Sequence, residues 1–160
     1  MGTDVNARNH NLDTPLHLIG LLNEGQSPDN RQCCQLLIEA GVDVNATNKL
    51  GQTPLHMAAY SGQASLVAAL LENSAQVNLA DKVGMTPLHA AAAGGRPDCL
   101  RRLIESGADV NAKTDRKQTP LHVIQSGTER DKVSISPTFY EQLLRQNPFT
   151  EKLQTQIVST

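Results

Sequence analysis

Apolar residues come in short bursts of helical spacing, most of them opened by a proline and closed by a glycine. Thr86-Pro87 leads into Leu88-His89-Ala90-Ala91-Ala92-Ala93, which stops at Gly94-Gly95. Threonine ahead of proline is a helix start, because the hydroxyl serves a free backbone amide and proline suits the first helical position. Pro97 opens a second burst through Glu105, with Leu100, Leu103 and Ile104 in the i, i+3, i+4 pattern of one buried face. Gly107 is placed to end it as a left-handed cap. Ala108-Asp109-Val110-Asn111 then leads into a polar turn before the next Thr-Pro. The pattern predicts paired helices of no more than about ten residues, too short to persist alone in water. Each pair must bury its faces against neighbouring pairs, which makes the whole an elongated solenoid.

The same pattern returns along the chain. Thr-Pro-Leu-His begins at Thr14, Thr53, Thr86 and Thr119, at spacings of 39, 33 and 33 residues. Asp/Gln-Val-Asn begins at Asp4, Asp43, Gln76 and Asp109 with the same three spacings. Leu-(Leu/Ile)-Glu begins at Leu37, Leu70 and Leu103, again 33 apart. Three landmarks with one period define a repeat array.

These residues resemble the ankyrin repeat, whose 33-residue period and T-P-L-H-x-A signature they share. Thr53-Pro54-Leu55-His56-Met57-Ala58 and Thr86-Pro87-Leu88-His89-Ala90-Ala91 match it in full. The resemblance covers residues 4–147 and implies an all-α ankyrin-repeat solenoid of helix-turn-helix units with projecting hairpin loops, or fingers. It divides the chain into repeats near 4–42, 43–75, 76–108 and 109–147, with 148–160 as a C-terminal capping helix or flexible tail. It also implies that a partner binds on the concave face, made of short inner helices and fingers.

The end repeats depart from the central two. Insertions fall between their helices, around Glu24–Pro28 and Arg130–Ser134, and the second helix of repeat four is expected around Leu143-Leu144. Ile19 and Ile124 stand where the central repeats have Ala58 and Ala91. The finger glycine, Gly51 and Gly84 in the centre, becomes Leu12 and Lys117, which puts the turn geometry of the end fingers, but not the fold, in question. Such atypical units are read as caps on the stack. Gly2-Thr3-Asp4-Val5-Asn6 has the form of the tail of a preceding repeat, as in a piece of a longer array.

Composition narrows the function. Of 160 residues, 39% are hydrophobic and only 2% aromatic, which suits thin layers of Leu, Ala, Val and Ile rather than one large core. No apolar run reaches the roughly 18 residues a membrane helix needs, and a net charge of -2 gives no reason to expect nucleic acid as a partner. Three cysteines, two of them adjacent (Cys33, Cys34) and one distant (Cys99), form neither a disulfide framework nor a metal spacing, and read as reduced thiols in an intracellular protein, cytoplasmic or nuclear. His17, His56, His89 and His122 belong to the repeat motif and lie roughly 10 Å apart by helix packing, too far to share one zinc ion. They are expected to bond the neighbouring loop, while His10 lies in the first finger. Without a catalytic constellation or phosphate loop, the chain reads as a non-enzyme without cofactor.

Partner contacts are expected at variable positions bracketed by scaffold ones. In the fingers these are Asn48, Lys49 and Leu50, then Lys82, Val83 and Met85, then Arg116; on the inner helices they are Met57, Tyr60, Ser61 and Ala93. Tyr60 leads, since tyrosine is enriched among interface hot spots. Arg8, Lys49, Lys82, Lys113, Arg116 and Lys117 make the finger edge basic, which favours an acidic or extended protein segment. Asn45, Asn78 and Asn111 are expected to bond loop backbone, and the resemblance adds that asparagines eight residues after Leu37, Leu70 and Leu103 are possible hydroxylation sites. The leading reading is a protein–protein interaction module, monomeric by itself, acting as adaptor, inhibitor or targeting scaffold. The alternatives are a small-molecule or nucleotide sensor, which needs stacking aromatics and converging cations, and a structural spacer with no preferred contact surface.

Overall fold

The computed structural model describes residues 4–22 and 29–126, and within them seven helices and no strand. These are α1 (Pro15–Gly20), α2 (Asn30–Glu39), α3 (Pro54–Ser61), α4 (Ala64–Glu72), α5 (Pro87–Ala93), α6 (Pro97–Glu105) and α7 (Pro120–Ser126). The odd-numbered helices pack in one row, each against the next, and α2, α4 and α6 pack in a second row behind them. Each pair, α1 with α2, α3 with α4 and α5 with α6, also packs internally. The insertions at 24–28 and 130–134, the helix expected around Leu143-Leu144 and the segment 148–160 lie outside the described residues.

Between the rows runs one apolar seam in which the repeat motif supplies the same column each time: Leu16, Leu55, Leu88 and Leu121. Leu66, Leu70, Cys99 and Leu103 of the outer row close it from behind. Inner helices approach closely because their facing residues are small. A methyl group on Gly20 would lie 2.8 Å from Met57 Cβ and 3.2 Å from the Ala58 nitrogen. One on Gly94 would fall on the Tyr60 carbonyl oxygen.

Finger geometry is more uniform than the sequence. Gly51 and Gly84 adopt φ of 75° and 81°, and Leu12 and Lys117 adopt the same left-handed turn at 62° and 64°. The end fingers therefore keep the turn that the missing glycine put in question, at the steric expense of a side chain there. The reason is cooperative: each tip is also tied to the next finger, Lys49 N–H to the Asn11 carbonyl at 2.9 Å and Asp115 N–H to that of Val83 at 3.0 Å. The same substitution occurs behind the outer helices, where Gly41 and Gly107 sit at 91° and their counterpart Ser74 at 68°.

Two stability outcomes follow. Nothing surrounds the Cβ position at Gly41 or Gly107, so Ser74→Gly relieves strain alone and raises urea-unfolding stability by about 0.5–1 kcal/mol after its cost in unfolded-chain entropy. Gly94→Ala drives a methyl into backbone and lowers stability by about 2 kcal/mol or more, in the range of overpacked cores. A Ser74→Gly variant no more stable than the parent would show that the left-handed turn is unstrained.

Candidate functional site

Each inner helix begins with a cap built from the repeat motif. The Thr14 N–H donates to His17 Nδ1 at 3.1 Å and its hydroxyl lies 2.9 Å from the same nitrogen. Nε2 of His17 lies 2.8 Å from the Gln52 carbonyl of the following finger. His56 reaches the Met85 carbonyl at 2.9 Å and His89 that of Gln118 at 2.9 Å, each with the same threonine bonds behind it. A carbonyl only accepts and a backbone N–H only donates, so Nε2 carries the proton and Nδ1 is bare. Burial holds these three imidazoles below their ordinary value near 6.5, against the raising effect of the carbonyl bond and of Asp13, Asp81 and Asp109 nearby. The motif histidines are thus scaffold bonds between repeats, as their spacing implied. His122 keeps its threonine bonds and is exposed at the end of the described row.

The asparagines of the second landmark do parallel work in the loops. Asn45 accepts from the Gln76 N–H and donates to the Ser74 carbonyl, and Asn78 does the same with Asp109 and Gly107. Both carboxamides are therefore engaged by the following loop. Asn111 is exposed.

The expected contact residues divide. Lys49, Leu50, Tyr60, Lys82, Val83, Ala93 and Arg116 are exposed, and Met57, Ser61 and Met85 are half-buried. Asn48 is not a surface residue: it is 7% exposed. Its Oδ1 accepts from the N–H groups of Leu50 and Gln52, and its Nδ2 donates to Asp13. Asn9 and Asp81 hold the same place in their own fingers. Asn48 is a finger brace and leaves the contact set. Met57 is also partly structural, since its Cβ lies against α1 at Gly20.

Exposed apolar residues gather on the inner-helix side. Tyr60 is 55% exposed at the end of α3 and Leu21, its counterpart one repeat earlier, 50%. Leu50 and Val83 stand at the finger tips, 61% and 55% exposed. Lys49 and Lys82 precede these tips and Arg116 occupies the next, none in an ion pair among the described residues. Leu18, Leu21 and Leu22 were not among the expected contacts. Aligning Leu21 with Tyr60, each seven residues after the motif threonine, was the available signal.

Two further polar residues escaped the sequence. Gln63, fully buried, accepts from Asn30 Nδ2 at 2.7 Å and donates to the carbonyls of Ile19, Gly20 and Leu22. Arg96, one repeat on, donates from Nε to the Tyr60 carbonyl at 3.0 Å. Both satisfy the carbonyls that end the preceding inner helix. A groove of about 370 Å³ lies elsewhere, between α4 and α6, walled by Leu71, Ala75 and Val77 together with Glu72, Arg102 and Glu105. It contains none of the expected contact residues.

Among the described residues no three His, Cys, Asp or Glu side chains gather to hold a metal ion, and no helix is long and apolar enough to cross a membrane. Cys33 and Cys99, alike in sequence position, differ in exposure: Cys99 is buried and Cys33 open. Burial pushes the Cys34 thiol up to about 11, which keeps it protonated and poorly nucleophilic.

Among known families a model described as ankyrin repeats (3 copies) matches the chain over residues 1–81 and 21–114. A search of curated proteins finds no match.

The histidine caps predict a pH dependence. A folded imidazole held below 6.5 binds fewer protons than the unfolded one, so its contribution is complete above about pH 6.5 and is lost as the pH falls. The urea midpoint should drop between pH 7 and pH 5, with at most about 1.4 kcal/mol per pH unit from each of His17, His56 and His89. His56→Gln should make that decline shallower; an unaltered slope would remove the cap from the account.

Proposed function

The chain belongs to the ankyrin-repeat family, whose members are generally protein–protein interaction modules, and from that premise we propose that it seats an extended, partly acidic segment of a partner protein across its finger tips and inner-helix face. The observation that carries this reading is the exposure of Leu21 and Tyr60 at the ends of α1 and α3 and of Leu50 and Val83 at the finger tips, where Lys49, Lys82 and Arg116 also stand. Monomer surfaces rarely keep large apolar side chains together unless they meet something. Tyrosine is favoured at such anchors because it presents much contact area with few rotors.

The geometry supports an extended rather than a compact ligand. Neighbouring repeats lie roughly 10 Å apart, a distance that an extended chain covers in about three residues. Apolar side chains of such a segment meet Leu21, Tyr60 and the tips in turn, and acidic ones between them meet the lysines. Rim cations of this kind act mainly on association rate and salt dependence. The module works by binding, as adaptor, inhibitor or targeting scaffold, and carries out no chemistry of its own.

Affinity capture with the intact chain and with a Leu21→Ser, Tyr60→Ala, Val83→Ser triple variant tests the face. These side chains are exposed, so helicity and urea midpoint should hold while a captured partner is lost, with affinity down by about 100-fold for two hot-spot contacts. Lys49→Glu, Lys82→Glu and Arg116→Glu together should weaken binding and flatten its salt dependence. A partner retained by both variants would place the contact surface elsewhere.

A further inference from the structure

The groove between α4 and α6 holds about 370 Å³, within the range of clefts that take ligands, about 300–1,000 Å³. The repeat shows why this space is open. One repeat earlier, between α2 and α4, two of its small lining residues have larger counterparts: Gln35 stands for Ala68 and Val42 for Ala75. Gln35 bonds Glu39 at 3.2 Å, and Val42 is buried. Arg31 belongs to the same side of α2, since positions 31, 35 and 38 follow the i, i+4, i+7 spacing of one helix face. Its guanidinium crosses from α2 to Glu72 of α4 at 2.8 Å.

Between α4 and α6 the accepting half of that bridge is kept and the donating half is gone. Glu105 stands where Glu72 does, exposed on α6 and lining the groove, and Ala64 takes the place of Arg31. Glu105 has no ion pair among the described residues. Leu71, Ala75 and Val77 are half-buried, so apolar walls run up to a free carboxylate. Arginine suits such a site, because its carbon stem packs along apolar surface while its charged head stays at the edge. Its planar fork also fits a carboxylate better than a compact ammonium does. Arg102, the cation of the walls, replaces Ala69 and is likewise without an ion pair among the described residues, which makes an acidic side chain the rival occupant. The array decides between them: Arg31 already bridges to the preceding copy of Glu105, and no acidic side chain does the converse.

We propose that the groove between α4 and α6 is a second docking site, for a partner segment that carries an arginine beside an apolar side chain. The arginine enters over Ala64 and Ala68 and donates to Glu105, as Arg31 donates to Glu72 one repeat earlier. The apolar neighbour fills the remaining space against Leu71 and Val77. None of the finger or inner-helix contact residues lines this groove, so the site stands apart from the face proposed above. It also asks for the opposite charge: acidic groups meet the finger cations, and a basic one meets the outer row.

The test titrates the isotope-labelled full chain with the blocked peptide acetyl-Leu-Arg-Leu-amide and follows backbone amide shifts by NMR. Amides of Ala68, Leu71 and Glu105 should move and saturate. The same peptide with citrulline, a neutral isostere of arginine, should bind about tenfold more weakly, the effect of losing a hydrogen bond to a charged group. Glu105→Gln should weaken the arginine peptide to the same extent, whereas Arg102→Gln should leave it bound at least as well. Ala68→Gln and Ala64→Arg restore what the preceding repeat carries, and each should abolish the shifts; having both guards against one that does not fold. The Leu21→Ser, Tyr60→Ala, Val83→Ser chain should bind the peptide as the parent does, which separates this site from the finger face. Equal affinity for the arginine and citrulline peptides would overturn the proposal, as would groove amides that do not move or shifts that survive both Ala68→Gln and Ala64→Arg. So would binding lost in Arg102→Gln and kept in Glu105→Gln, because the groove then does not read the cation.

Discussion

Everything in this stack depends on the imidazole that each inner helix places at its own start. A helix of six to eight residues has too few internal bonds to hold itself. The motif threonine and histidine close its first turn through Nδ1, and the same ring then donates from Nε2 to the finger of the next repeat. One side chain is therefore a local cap and an inter-repeat bond at once. Neutrality is required for both, since a proton on Nδ1 would face a backbone N–H. That links secondary structure to stacking more tightly than apolar burial alone, which is non-directional and leaves register loose.

Much of this was legible from residue order. The helix starts at Thr14, Thr53, Thr86 and Thr119, the left-handed turn at Gly107 and the role of Asn45 and Asn78 all follow from residue type at a fixed period. The finger turns at Leu12 and Lys117 stayed open in the sequence because a local rule, glycine for positive φ, stands against a non-local one. Ladder bonds between fingers hold the turn in its shape whatever residue sits there. Asn48 was misread for a related reason: variability between repeats signals a surface, but Asp81 makes with a carboxylate the bonds that Asn9 and Asn48 make with a carboxamide. Chemical function can be conserved along an array when residue identity is not.

The proposed binding face was half legible. Tyr60 stands out as an aromatic residue in a chain with few. Leu21 did not, because leucine in a short apolar run reads as core until its column is known. Gln63 and Arg96 were invisible for the opposite reason. A glutamine and an arginine beside helix starts look like solvated surface, and only the close approach of successive helices brings them onto the carbonyls of Ile19, Gly20 and Tyr60.

Exposure of apolar residues follows two patterns in this molecule, and the repeat separates them. On the outer row Ala69 of α4 is covered while its counterparts Leu36 of α2 and Arg102 of α6 are exposed. A column at the ends of the inner helices is open in every described repeat, as Leu21, Tyr60 and Ala93 are. Tyr60 has repeats packed on both sides of it and stays exposed, so no missing neighbour accounts for it. On the proposed reading the second kind of exposure belongs to what the array meets. In a globular domain, where no position recurs, the two would be indistinguishable by accessibility alone.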